Sequence, residues 1–173
     1  MAVLIEILGA LGILFAVLAF QCKKHHRVIT YRNTNMLFFA VQYVLLGAWT
    51  GMAMNILGII RNVIFSYQVR HERSTRRSIG LFCAIFFIAG LLTWEGPKSF
   101  LVIGAKLIST VAYGNKNLLV MRLLVLLTSS SWMVYNIFAG SHAGVLCEML
   151  TLTSILFALW RYHIPHTRRT AEK

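Results

Sequence analysis

Residues 35 to 60 contain no charged side chain, and long apolar stretches of this kind, separated by short basic clusters, run the length of the chain. The separable runs are roughly 2 to 20, 35 to 49, 51 to 68, 79 to 94, 98 to 113, 118 to 138 and 143 to 160. A helix crosses the hydrocarbon layer of a bilayer in about 20 apolar residues, so these runs predict an all-α, polytopic membrane bundle of about seven short transmembrane helices. The weakest division lies between the second and third runs, where only Thr50 and Gly51 offer a turn. One helix over both would be far too long for a single crossing. Composition argues against a water-soluble fold: 58% of the residues are hydrophobic and 13% charged, against roughly 25% charged in ordinary soluble domains.

A net charge of +12 would suit a nucleic-acid-binding protein if the cations covered one face. They sit instead in clusters between apolar runs and read as topology signals, so no nucleic-acid partner is expected. The first cluster holds Lys23, Lys24, Arg27 and Arg32, and the second Arg70, Arg73, Arg76 and Arg77. Lys116, with Arg122 nearby, forms a third, and Arg161, Arg168, Arg169 and Lys173 end the chain. Cytoplasmic loops are enriched in Lys and Arg, and two crossings separate the first two clusters, so the amino terminus is expected outside and the carboxyl terminus in the cytoplasm. Fourteen of the seventeen cations then fall at cytoplasmic helix ends, Lys98 lies outside beside Glu95, and Arg61 and Lys106 lie within the membrane. The basic ends would meet anionic lipid headgroups, at about 1 kcal/mol per cation near the surface.

Enzyme signatures are missing. The chain has no glycine loop followed by Lys and Ser or Thr, no HExxH and no nucleophile elbow, and its five acids leave room for few catalytic designs. Cys22, Cys83 and Cys147 are too widely spaced for a metal pair or a disulfide framework. His25 with His26, and His163 with His166, lack a Cys or acid to complete a ligand set. Neither catalysis nor a metal or cofactor is expected.

The chain repeats itself. LLGAWTGMAMNILGIIRN, residues 45 to 62, aligns with FAGSHAGVLCEMLT, residues 138 to 151, at an offset of 93, so that Gly47 meets Gly140, Gly51 meets Gly144 and Asn55 meets Glu148. ILGAL in the first run likewise matches VIGAK in the fifth. Four crossings separate the copies, so they run in the same direction. The expected plan is a parallel three-plus-one-plus-three arrangement in a single transmembrane domain: repeat one at about 2–68, a linker helix at about 79–94, repeat two at about 98–160 and a basic cytoplasmic tail at 161–173.

FQCKK after the first run, LLGAWTG, the NILGIIRN end, SSSWMVYN and GVLCEMLTLTS together resemble the bacterial inner membrane protein YgjV family over nearly the whole chain. That family looks like a distant relative of the sugar-transporting SWEET and PQ-loop proteins, which share the same plan. The resemblance implies a SWEET-like bundle in a bacterial inner membrane. It departs from those relatives in one respect: they bend helices at internal prolines, whereas Pro97 and Pro165 both lie outside the apolar runs.

Arg61 and Lys106 fall about eight to ten residues from their outer helix ends, near mid-membrane at roughly 1.5 Å per residue. A cation there costs roughly 2.5 to 3.5 kcal/mol even on the lenient insertion scale, so each should face the bundle interior and find a partner. Glu148 and Glu6 are the acids expected to serve them. Gly51, Asn55, Gly58 and Asn62 form one helical stripe with Arg61 on its flank, and Gly144, Glu148 and Thr151 repeat it. In the sixth run, Trp132, Tyr135 and Asn136 could stack on or hydrogen-bond a solute, whereas Trp49, Trp94 and Trp160 sit at helix ends as interface anchors. Asn55, Arg61, Asn62, Lys106, Trp132, Asn136 and Glu148 are thus the candidate substrate pathway. The function expected is that of a transporter-class protein moving a small solute through a midplane polar site. The alternative is a non-transporting membrane accessory or structural protein, and homodimers are compatible with either.

Overall fold

A computed structural model describes residues 2–21, 25–113 and 118–162. These form seven helices: α1 (Ala2–Gln21), α2 (His25–Leu45), α3 (Trp49–Arg70), α4 (Arg76–Leu92), α5 (Lys98–Tyr113), α6 (Leu118–Ala139) and α7 (His142–Tyr162). The predicted runs match their number and order, and α5 matches its run end for end. The main difference is α2, which begins at His25, ten residues before the apolar run. Arg27 and Arg32, placed by sequence in a cytoplasmic loop, therefore belong to a helix. Its first turns carry HHRVITYRNTN, too polar for a hydropathy criterion, but with no proline or glycine to stop a helix.

The α2–α3 and α6–α7 connections are tight turns, each built on a glycine. Gly47 has φ +68° and Gly140 φ +72°, the left-handed conformation that costs any other L residue about 1–2 kcal/mol. Each closes its helix with a Schellman motif. Gly47 N donates to Val44 O at 3.1 Å and Ala48 N to Tyr43 O at 2.8 Å; Gly140 N donates to Ile137 O at 3.3 Å and Ser141 N to Asn136 O at 3.0 Å. The connection between α4 and α5 contains Pro97, outside both helices.

Helix α1 packs on α2 and α7, α2 on α3, α3 on α5, α5 on α6 and α6 on α7, which closes a ring of six; α4 packs outside it on α3 and α5. Cross-bundle hydrogen bonds fix the ends. Gln42 of α2 reaches Ile5 of α1 and Ser141 before α7, and Thr50 of α3 contacts Ser99 of α5. The amino terminus of α1 and these turns thus share one end of the bundle, the turn end. Gln68 and Ser78 join α3 to α4 at the other, where Arg70, Arg73, Arg76 and Arg77 are exposed; this is the basic end.

The outer surface of the bundle is rich in large apolar side chains, and its interior holds polar groups beside an apolar core. Ile7, Val41, Ile60, Leu91, Phe100, Ile137 and Leu156, one from each helix, are exposed, while Gln42, Thr50, Asn55, Arg61, Lys106 and Asn136 are buried. Among the described residues, one window is long and apolar enough to cross a membrane by length and composition alone, Ala2–Ala19 with mean hydropathy 2.6. The apolar parts of α6 and α7, Leu123–Ala139 and His142–Phe157, are shorter. Inward-facing polar residues such as Asn55, Arg61 and Lys106 lower the hydropathy of helices whose outer faces are apolar.

Candidate functional site

The ring encloses a cavity of about 340 Å3, at the small end of the roughly 300–1,000 Å3 typical of small-molecule sites. All seven residues singled out by sequence line it: Asn55, Arg61 and Asn62 from α3, Lys106 from α5, Trp132 and Asn136 from α6, and Glu148 from α7. A one-residue rise of 1.5 Å and a turn of 3.6 residues put Asn55 and Asn62, seven apart, on one face of α3.

Arg61 is 2% exposed. Its guanidinium donates to Thr110 Oγ1 at 3.0 Å, Ser109 Oγ at 3.2 Å and Asn62 Oδ1 at 3.0 Å, and lies 5.7 Å from the Phe86 ring centroid. Ser109 and Thr110 spend their own protons on Lys106 O, at 3.1 and 2.7 Å, which turns their lone pairs to the cation. Asn62 is oriented in turn by a bond from its Nδ2 to Asn33 Oδ1 at 3.0 Å. Lys106 Nζ donates to Asn55 Oδ1 at a long 3.4 Å and stands 4.9 Å from the Trp132 ring centroid, a cation–π distance.

Of the two expected acid partners, Glu6 lies away from the cations and Glu148 shares the cavity with them. Glu6 faces His142 Nδ1 at 3.4 Å at the turn end, because it lies one turn into α1, well away from the mid-helix cations. Glu148 does line the cavity, together with Arg32 and Lys106. Burial of Arg61 is compensated by neutral oxygens, each hydrogen bond to a charged group contributing roughly 1.5–3 kcal/mol.

Sequence reading missed much of the α2 wall: Arg32, Asn35, Met36, Phe39 and Tyr43 also line the cavity. Arg32 is exposed at the rim, and Asn35 Nδ2 donates to Gly12 O at 2.8 Å. The signal was present in the offset of 93. Carried back from the glycines into α2 and α6, it pairs Arg32 with Val125, Asn35 with Thr128, Met36 with Ser129, Phe39 with Trp132 and Tyr43 with Asn136, and every member of these pairs lines the cavity. On α3 and α7 the same offset pairs Asn55 with Glu148 and Asn62 with Ile155, which line it too.

The cavity is closed at the turn end by a buried seam. Tyr43 Oη donates to Asn136 Oδ1 at 2.6 Å, joining the two members of one such pair. On one side the Tyr135 hydroxyl accepts from Gly51 N at 2.9 Å. On the other, Ser141 Oγ donates to Gln42 Oε1 at 2.8 Å and accepts from Gly144 N at 3.1 Å. Tyr135 and Gln42, and Gly51 and Gly144, are again 93 apart, so each middle helix reaches the amino-terminal turn of a helix in the other half. Toward the basic end the lining runs on to Ala19, Arg32 and Ile155.

Trp49, Trp94 and Trp160 are exposed near helix ends, as belt residues are. His163, His166 and the side chains of His25 and His26 lie outside the described residues, as do Cys22, Lys116 and the tail from 163.

No curated protein and no solved structure matches the chain. A family model described as a bacterial inner membrane protein, Imp-YgjV, matches residues 3–165. With that span covering nearly all of a helical bundle whose outer face is apolar, the chain belongs to the YgjV family of bacterial inner membrane proteins.

Proposed function

We propose that this is a seven-span, transporter-class protein that moves a small solute bearing an anionic group through the central cavity. The observation that carries the reading is the charge of that cavity: among the described residues, Arg32, Arg61 and Lys106 line it with one acid, Glu148. In a membrane, such groups are costly and commonly mark substrate pathways. Each helix also presents an apolar outer face, which suits seven crossings although, among the described residues, only α1 holds a window long and apolar enough to cross by composition alone.

The pairing of lining residues at an offset of 93, the matching turns and the position of α4 outside the ring support a parallel three-plus-one-plus-three plan, with α1 to α3 and α5 to α7 as repeats. With the basic end in the cytoplasm, the amino terminus lies outside, the seam faces outward and the cavity faces inward. Transport would require the seam to open as the basic end closes. Both repeats are present in one chain, so a monomer suffices, and a homodimer would place two pathways side by side. Anionic headgroups would surround the basic end.

The test is uptake into proteoliposomes of a mixture of isotope-labelled carboxylates and phosphate, followed by mass spectrometry of the lumen. The expected result is accumulation of at least one anion, lost in Lys106→Met. An empty lumen with correctly inserted, folded protein would favour the second reading, a non-transporting accessory protein. That reading draws on the Arg61, Asn62, Asn33, Ser109 and Thr110 network, which also serves to tie α3 to α2 and α5.

A further inference from the structure

The paired lining residues show where the two halves of the cavity differ, and one of the differences is electrical. The pair Phe39 and Trp132 is aromatic in both halves, and Tyr43 and Asn136 are hydrogen-bonded to each other across the cavity end. Asn55 pairs with Glu148, so an amide on the α3 wall stands where the α7 wall has a carboxylate. Asn55 is also the residue that Lys106 touches. A cation with its amide thus occupies one wall and the acid the equivalent position on the other.

The cations are not equally available to a ligand. Arg61 is already engaged by Ser109, Thr110 and Asn62, and Arg32 is exposed at the rim. Lys106 holds its partner by one bond of 3.4 Å, at the far limit of hydrogen bonding, so a carboxylate can replace that contact at little cost. A simple anion seated there would also meet the repulsion of Glu148.

Resting on the anion reading above, we infer that the cavity takes a small zwitterion of the α-amino-acid class, its carboxylate on Lys106 with Arg61 behind and its ammonium toward Glu148. The Trp132 and Phe39 rings bound the space left for its side chain. The volume of about 340 Å3 accommodates a single solute of this size and not a large one.

Isothermal titration of the purified full-length protein with the free amino acids, each beside the acid that lacks its ammonium group, tests this. At least one amino acid should bind tenfold or more tightly than its deaminated partner. That advantage should vanish in Glu148→Gln, while Lys106→Met weakens both ligands. If deaminated acids bind as well as amino acids, the zwitterion is ruled out and the anion reading stands. If no carboxylate of either kind binds folded protein, the zwitterion fails, and inorganic phosphate titrated in the same way decides the anion reading: no binding of phosphate either overturns it as well. Should Glu148→Gln not fold, the wild-type comparison still decides.

Discussion

The α2–α3 and α6–α7 turns are built alike, bond for bond, whereas the cavity walls that descend from them differ in charge. In the turns, backbone geometry dictates the residue: only glycine takes the left-handed position cheaply, so Gly47 and Gly140 hold matching φ values of +68° and +72°. In the walls the backbone dictates only which way a side chain points. Asn55 and Glu148, or Arg32 and Val125, face one cavity from equivalent positions while differing in chemistry. Matched turns and divergent lining are what the proposed repeat, built around an asymmetric ligand, would show.

The largest test of the shared scaffold is at the close approaches. A Cβ on Gly51 would come within 2.9 Å of the Tyr135 ring and hydroxyl, and one on Gly144 within 2.6 Å of Asn136 and Ser141. Gly51→Ala and Gly144→Ala should each destabilise the protein by roughly 2–3 kcal/mol through overpacking and seam disruption, read as a drop in thermal unfolding temperature in detergent. A neutral result at either position would break the equivalence.

Next in size is Tyr43→Phe, which strips the buried Asn136 oxygen of its donor and should cost about 2 kcal/mol. Because Tyr43 and Asn136 close the seam, the same variant should raise reagent access to the cavity from the outer face. Gly47→Ala and Gly140→Ala should follow, each at about 1 kcal/mol and equal within error; unequal losses would show that the two turns carry different loads.

The smallest expected change in stability is at Arg61→Met. Ser109 and Thr110 keep their bonds to Lys106 O while Asn62 Oδ1 loses its donor, and the desolvation that a buried cation no longer costs offsets most of the hydrogen bonds lost. Unfolding should therefore shift by roughly 1 kcal/mol or less, whereas anion binding should fall at least tenfold. A large stability loss with unchanged binding would move Arg61 from the site to the architecture.

Much of this was legible in the sequence, for identifiable reasons. Helix count and order follow from apolar runs bounded by basic clusters. The seven candidate residues share a cavity because a polar group in an apolar helix has one place to go. Arg32 was misplaced because a Lys- and Arg-rich segment reads as a loop when hydropathy alone is asked, although its polar residues lie on a cavity-facing helix. The partners of Arg61 were misjudged because charge seemed to demand an acid, and the fold supplied hydroxyl and amide oxygens from two helices that no local pattern connects.

The most direct test of a solute pathway is water access to the cavity. In a background lacking Cys22, Cys83 and Cys147, the single substitutions Asn55→Cys, Arg61→Cys, Lys106→Cys, Asn136→Cys and Glu148→Cys are probed with a membrane-impermeant thiol reagent from each side. Labelling of Asn55→Cys, Lys106→Cys and Glu148→Cys from the cytoplasmic face, with Asn136→Cys slowest beneath the seam, is the expected result. If all five stay unlabelled while the exposed control Arg73→Cys reacts, the cavity is dry, and the transporter reading gives way to a bundle whose charges hold it together.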